Sequence, residues 1–592
     1  MHRLLCLGLI AMSSSSFAAP DILSLMKSAE STVQATGGYV RLEKKWTGNT
    51  CSLELVNKSS TPSKVLDVVA FRLKSPWAPT TELYGEGFTM LSQTGGTLEK
   101  PVDIGQYTDR NHYKIPERPG YRSLYGMAVF HPQDAPFQVI GFTSCKKFVG
   151  RIDVKADEIC VTIDTENLIL KPGEKMKLET VGCYSDNIRS KALASLGAAI
   201  SKNQPRLSFP APPKGWCSWY CFGPQVTAKD ISANLSEIKK SLPSLRYIQI
   251  DDGYQPQMGD WLETGTAFGG EIQEILKTIK QNKFEPAIWV APFVAGEKSH
   301  LFQNHPDWFV KGDDGKPMRS DKVGFGGWRL GPWYCLDGTH PEAQKFLEEL
   351  FKTMREKWGC TYFKLDANYW GAIHGGRFYD PKATRVEAYR RGMQAILRGT
   401  KNAFILGCNH PLWPSIGLIH GSRSSMDIDR SWSSFTSTGR ENLLRGWQNG
   451  SLWWNDPDCL ILTGSQPDNE FMFHSALLYA TSGMILSGDD LTKITPERRS
   501  ILTRVAAKKF EQFEFDNDRF EIGFARSKSK TEWVLLNWSD QPVKHRIEMP
   551  YGGTLKDVLQ DKTLSEVDAG QTEITLAPRS GLVLKLSRKK SK

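Results

Sequence analysis

Lys364 and Asp366, in the run YFKLDANYW at residues 362–370, are the first residues whose types and spacing suggest chemistry. A β-prone apolar segment carries a lysine in its middle and ends on an aspartate. Two positions apart on a strand, the pair shares one face. An ammonium beside a carboxylate favours the ionised form and lowers its pKa, and an ionised carboxylate is what a covalent nucleophile must be. With a second carboxyl group kept protonated as general acid, the minimum set for retaining glycoside hydrolysis is complete, the two carboxyls lying about 5–5.5 Å apart. The plain alternative is a buried Lys–Asp pair without chemistry, and the pair alone does not decide between them.

Other carboxylates fall at the ends of strand-like runs: Asp251 and Asp252 in RYIQIDDG, Asp427 with Asp429 just beyond it in GLIHGSRSSMDID, Asp456 and Asp458 in LWWNDPDCLIL, and Asp489 and Asp490 in GMILSGDD. Aspartate caps helices well, and each of these alone reads as a cap. Capping does not require five strand ends to bring carboxylates to one rim, so together they suggest a site. Of 18 tryptophans, 14 lie between Trp216 and Trp454, which places flat apolar faces around the same rim. Core packing accounts for many of them. Aromatic faces with polar neighbours suit sugar rings, whereas a phosphate site would want glycine-rich backbone loops.

The elements that must position these groups follow from periodicity. Eight strand-like runs, the first GWCSWY and the fifth AFILGCN, alternate with helical or long-loop segments over about 300 residues, the pattern of a (β/α)8 barrel. In PEAQKFLEELFKTMREKWG, Phe346, Leu347, Leu350, Phe351 and Met354 recur at helical spacing. An open doubly wound sheet is the alternative, but no G-x-G-x-x-G loop supports it. Upstream, many short alternating segments predict a β-sandwich over residues 19–205, ending in a linker helix. The proline-rich PRLSFPAPPKG marks the boundary, the barrel spans 206–514, and strand patterns from 515 to 592 predict a small antiparallel β-domain.

The first residues, MHRLLCLGLIAMSSSSFAAP, read as a signal peptide cleaved after Ala18, too short for a membrane span. Export to the periplasm or beyond is expected. The net charge of +10 has its densest piece in the terminal SRKKSK, and elsewhere basic residues mix with acidic ones. A solvated surface is expected rather than a nucleic-acid module. No cysteine pair is followed by a second pair or by paired histidines at zinc-ligand spacing, so no structural metal is expected. Cys217 and Cys221 are the one close pair, and buried thiols and a bridge are equally compatible with the spacing.

In order, GWCSWY, QIDDGYQ, YFKLD, HGSRSSMD and WWNDPDCL resemble glycoside hydrolase family 36 and its clan D relatives, retaining α-galactosidases with α-N-acetylgalactosaminidases and raffinose-synthase-like members nearby. The resemblance implies that Asp366 is the nucleophile and that Asp427, in the Arg-x-x-x-Asp pattern with Arg423, is the acid/base. Asp251, Asp252, Lys364, Arg423 and Trp289 would contact the sugar, and Trp216, Trp219 and Tyr220 would form an aromatic wall. Cys408 and Asn409 would line the pocket from GCNHPLWP, where the chain departs from the family's glycine-rich stretch and the identity of the sugar is left open. The resemblance implies no metal or organic cofactor and a carbohydrate substrate, with galactose or N-acetylgalactosamine at the non-reducing end. A transglycosylase is the less fitting relative for an exported protein, and a non-catalytic sugar-binding barrel is the alternative of another class. On spacing alone Asp429 rivals Asp427.

Overall fold

The computed structural model describes residues 21–509, 511–527 and 530–588. The expected signal segment, residues 1–18, and the last four residues of the basic tail lie outside these.

Two antiparallel sheets of five and nine strands form the N-terminal sandwich. The five-stranded sheet runs in the order Glu30–Thr36, Ser63–Lys74, Glu158–Leu170, Val149–Lys155, Arg122–Tyr125. A helix, Arg189–Asn203, follows and buries Ala192, Leu193, Leu196 and Ile200. The proline-rich stretch then leads to the first barrel strand.

All eight strand-like runs of the central region contain a strand of one parallel sheet. They are Lys214–Cys217, Tyr247–Ile250, Glu285–Val290, Tyr362–Leu365, Phe404–Gly407, Gly421–Arg423, Trp454–Asp456 and Ile485–Ser487. The seventh resumes at Cys459–Leu460, which pairs with the eighth, whereas Trp454–Asp456 pairs with the sixth. The two edges of the sheet are thus one chain segment interrupted by Pro457 and Asp458, and the sheet returns on itself as a barrel. Tyr362–Leu365 and Phe404–Gly407 are buried at every position, because helices cover the outer face and side chains fill the inner one. The helix Pro341–Glu356 shows how the outer layer is specified. His340 caps it, Pro341 opens it, and Ala343, Leu347, Leu350, Phe351 and Met354 are its buried face. Phe346, expected on that face, lies at its margin, half-buried.

The connection between the third and fourth strands carries an antiparallel strand pair, Val294–Gly296 with Trp333–Cys335, that periodicity did not reveal. Beyond the barrel, six strands form one antiparallel sheet and Val543–Met549 pairs with Gly570–Leu576. Along Val543–Met549 burial alternates, with His545, Ile547 and Met549 inside.

Candidate active site

Asp366 stands one residue past the fourth strand, 93% buried. Trp289 Nε1 donates to its Oδ2 at 3.1 Å, and the main-chain N–H of Ala367 and Asn409 Nδ2 donate to Oδ1 at 2.7 and 2.9 Å. Trp289 reaches it because the third and fourth strands pair in parallel with Trp289 opposite Lys364. Ala367 has φ 51 and Asn409 φ 43, uncommon for residues with a side chain. The turn at Ala367 brings its own N–H back onto the carboxylate. Burial pushes the Asp366 carboxyl up; Lys364 and the Trp289 N–H oppose this without overcoming it, and Asp427 adds to the rise.

This corrects the expectation that Lys364 holds Asp366 low. The Lys364 ammonium is bonded to Asp251 Oδ2 at 3.0 Å. Burial works against its charge, but Asp251 outweighs burial and keeps it protonated. Its field reaches Asp366 only as a counterweight. Asp251 also accepts from Gln249 Nε2 at 2.6 Å and from the main-chain N–H of Asp252 at 2.9 Å.

Across the mouth, the Asp427 side chain is 63% exposed. Arg423 Nη1 is 2.8 Å from Asp427 Oδ1 and 3.1 Å from Asp458 Oδ2, while its Nε is 3.1 Å from Asp456 Oδ2. Enclosure raises the Asp427 carboxyl, but Arg423, Lys364 and the Tyr220 hydroxyl together hold it below the usual range. Asp429 accepts instead from the Ser431 hydroxyl, and its main-chain N–H meets Ser434 Oγ, at the start of the helix Trp432–Leu444. It is a helix-terminus residue, while Asp427 shares the field of Asp366.

Asp252 is closed off by residues the sequence did not single out. Arg329 grips both of its oxygens, with Nε at 2.7 Å from Oδ2, Trp328 Nε1 donates to Oδ2 at 3.1 Å, and Gln255 Nε2 donates to Oδ1 at 2.7 Å. The signal that could have found them is a tryptophan and an arginine in the glycine-rich GFGGWRLGP, a composition suited to a loop pressed against a site. Trp328 lies edge-on to Trp289, centroids 6.1 Å apart, and Trp289 likewise to Trp261 at 5.8 Å.

The aromatic wall needs one correction. Cys217 Sγ faces Asp251 Oδ2 inside the barrel, so the preceding residue, Trp216, points outward. It is fully buried, and its Nε1 donates to the main-chain oxygen of Asp489. Trp219 is half-buried on the short helix that follows the first strand, and the Tyr220 hydroxyl donates to Asp458 Oδ2. Cys408 is buried among Asp366, Arg423, Lys364 and Asp427, its thiol pushed up by burial and then by Asp366. All ten described cysteines are free thiols. Asp260, Glu263 and His300 bring potential metal-ligand atoms within 4.8 Å of one another. Asp260, however, caps the helix His300–Asn304 through the N–H groups of His300 and Leu301, and Glu263 pairs with the His300 ring at 2.7 Å. A cleft of about 850 Å3 between the linker helix and the C-terminal domain holds none of the strand-end carboxylates. No described helix is long and apolar enough to cross a membrane.

Residues 248–404, which hold Asp251, Asp252, Lys364 and Asp366, match the Melibiase family model. An A type blood α-D-galactosamine galactosaminidase from Flavonifractor plautii is 27% identical over 208 residues, 33% of this chain and 18% of that protein. The bifunctional α-galactosidase/sucrose kinase AgaSK of Mediterraneibacter gnavus is 30% identical over 128 residues, 20% of this chain and 13% of its own length. The central region is thus similar to α-galactosidase-like glycoside hydrolases. The matches nonetheless span less than a fifth of either relative. The fold is also that of solved structures. The GH36 α-galactosidase AgaA of Geobacillus stearothermophilus superposes with a TM-score of 0.64 at 12% identity, over 93% of this chain and 81% of that one. TtGalA of Thermus thermophilus, in complex with p-nitrophenyl α-D-galactopyranoside, gives 0.61 at 20% identity, over 82% and 98%.

Proposed function

We propose that this protein is an exo-acting retaining α-glycosidase that removes terminal α-linked galactose, with Asp366 as nucleophile and Asp427 as acid/base. The observation that carries the reading is the aim of Asp366: three N–H donors fix its two oxygens at the end of the fourth strand, within the field of the exposed Asp427 carboxyl. In the first displacement Asp366 attacks the anomeric carbon while Asp427 protonates the departing oxygen. In the second, Asp427 takes a proton from water, which attacks the glycosyl–aspartate from the opposite face and restores the anomeric configuration. Donors fixed on the carboxylate before reaction need not reorganise as it attacks. Lys364 and the Asp251 carboxylate are placed to meet sugar hydroxyls, with Trp289 walling the same side.

A second reading, an α-N-acetylgalactosaminidase, has one structural observation in its favour. Asn409, at the departure in the fifth-strand loop, bonds directly to the nucleophile, so the pocket beside the sugar's C1–C2 edge differs from the family pattern. The likeness to the galactosaminidase of Flavonifractor plautii agrees with it. A panel of nitrophenyl α-glycosides decides between the two. Hydrolysis of the galactoside, with retained configuration by proton NMR of the fresh product, is expected. An inverted product, or turnover of the N-acetylgalactosaminide alone, overturns the leading reading. Export is part of the proposal and rests on the N-terminal sequence. N-terminal sequencing of the native protein should begin after Ala18.

A further inference from the structure

An acid/base must stand where the leaving oxygen arrives, yet the Asp427 side chain is largely exposed, with Arg423 bonded to one of its oxygens. The main chain on either side of it is held more firmly. The N–H of Met426, the residue before Asp427, donates to Glu441 Oε2 at 2.9 Å, and that of Ile428, the residue after it, donates to Asp458 Oδ2 at 2.9 Å. Both acceptors are buried. Glu441 lies in the last turn of the helix Trp432–Leu444. Its neighbour Asn442 accepts from the Ser424 hydroxyl at 2.6 Å and donates through Nδ2 to the main-chain oxygen of Pro457 at 3.0 Å. The helix end therefore grips the loop at Ser424 and Met426, and the interruption of the seventh strand grips it at Ile428.

The other oxygen of Glu441 faces the sandwich. A Cβ placed on Gly105, just past the strand Pro101–Ile104, would lie 2.6 Å from Glu441 Oε1. Gln93 Nε2, from the same sheet, donates to the Glu441 main-chain oxygen at 3.3 Å. Gly105 has φ 83, which glycine adopts at little cost, and its bare Cα leaves room for the carboxyl. Oε1 has no hydrogen-bond partner among the described residues, so the Met426 N–H and the closeness of Gly105 fix how the carboxyl is turned.

We infer that Glu441 is a positioning residue for the acid/base and that the sandwich keeps it in place through Gly105 and Gln93. The inference rests on Asp427 being the acid/base. Glu441 is buried behind the loop and acts through the Met426 N–H alone. With the N–H groups on both sides of Asp427 taken by buried acceptors, the loop shifts only if one of those bonds breaks, which leaves a buried group unpaired. A displacement of about 1 Å at a catalytic group can cost about a hundredfold in rate. Delivery of the proton would suffer, while Asp366, on the fourth strand, would keep its own donors.

Each variant is assayed on two substrates of the sugar that the parent hydrolyses: the methyl α-glycoside, whose leaving group needs a proton, and the α-glycosyl fluoride, whose leaving group does not. Glu441→Ala takes the acceptor from the Met426 N–H. Its kcat/KM should fall at least about tenfold on the methyl glycoside and less than about threefold on the fluoride. Burial pushes the Glu441 carboxyl up to about 7, against the Met426 N–H and Arg445, so an uncharged amide is a close replacement. Glu441→Gln keeps an acceptor for Met426 and should stay within about threefold of the parent on both substrates. Gly105→Ala drives a methyl group toward Oε1, the far end of the side chain, so the carboxyl must swing away from Met426. It should show the same dependence on leaving group and decides the matter if Glu441→Ala does not fold. Equal losses on both substrates, or no loss, in the folded variants would overturn the inference and leave Glu441 a scaffold. So would Glu441→Gln as impaired as Glu441→Ala. If Asp427→Ala itself lacked the leaving-group dependence, the acid/base assignment would fail instead, so the two failures are distinguishable.

Discussion

Buried as it is, Asp366 would resist ionisation if nothing opposed the loss of water, and the opposition comes from outside its own hydrogen bonds as well as from them. Lys364 is the largest opposing influence on Asp366, and it also helps hold Asp427 low. Its removal should therefore lift both carboxyls together. For Lys364→Met the sign follows directly: without the ammonium the ionised form of each carboxyl is less favoured, so each pKa rises. The acidic limb of kcat/KM, set by Asp366 becoming ionised, should move toward neutral pH by about one unit or more, and the basic limb should follow in the same direction. Because the same substitution leaves Asp251 without its cation, KM should rise too. Profiles of kcat/KM against pH with one activated aryl galactoside would check this; an acidic limb at its original position in a folded variant would show that the lysine acts on binding alone. The sequence shows the pair but not the partner. Lys364 and Asp366 share a face, as alternation on a strand requires, yet the ammonium bonds to Asp251, 113 positions away in the chain, and no local pattern encodes that choice.

Among the elements, the barrel was legible because its strands are β-prone runs, five of them ending in aspartates, and the order of the runs is the order of the strands. The C-terminal strands were legible by alternation, as in Val543–Met549. The connection between the third and fourth strands was not. Its paired strands are three residues each, too short to establish a period, and the side chains that hold Asp252 sit in a glycine-rich turn. Trp216 was misplaced for a related reason: which face of a strand points inward is fixed by packing, and Cys217 takes the inner face. The glycine-rich turn has a testable role. Arg329 fills acceptor sites on both oxygens of Asp252, and Trp328 rides with it against Trp289. Arg329→Met should leave a buried carboxylate short of donors and loosen the wall of the sugar pocket. KM, and the Kd for free galactose by calorimetry, should rise at least about tenfold, equally for good and poor leaving groups, since no proton transfer is touched. A loss confined to poor leaving groups would place Arg329 on the acid side instead.

At the scale of the whole molecule, the N-terminal sandwich is part of the site's foundation. Arg445, on the barrel side, donates through Nε and Nη2 to Glu86 Oε2 at 3.0 and 2.6 Å, with both side chains wholly buried. The same guanidinium bonds to the main-chain oxygen of Ser424, next to Arg423. Glu86 also accepts from Tyr84 and Gln448. Behind Asp366, Tyr113 of the sandwich packs on Tyr369 with centroids 4.3 Å apart, and the main-chain N–H of Met90 meets the oxygen of His410. Glu86→Ala strands a guanidinium in a dry interface, and unfolding by denaturant should show a loss of about 3–5 kcal/mol together with reduced activity, because the end of the sixth strand is no longer held. A variant as stable as the parent would mean that the sandwich does not brace the barrel. The proposed mechanism turns on one bond, between Asp366 and an anomeric carbon. Incubation with a 2-deoxy-2-fluoro galactosyl donor that carries an activated leaving group, followed by proteolysis and mass spectrometry, measures that bond directly. The fluorogalactosyl mass is expected on the peptide containing YFKLD, with fragmentation placing it on Asp366. Rapid turnover without any labelled peptide, or a label on Asp427 or Asp251, would contradict it.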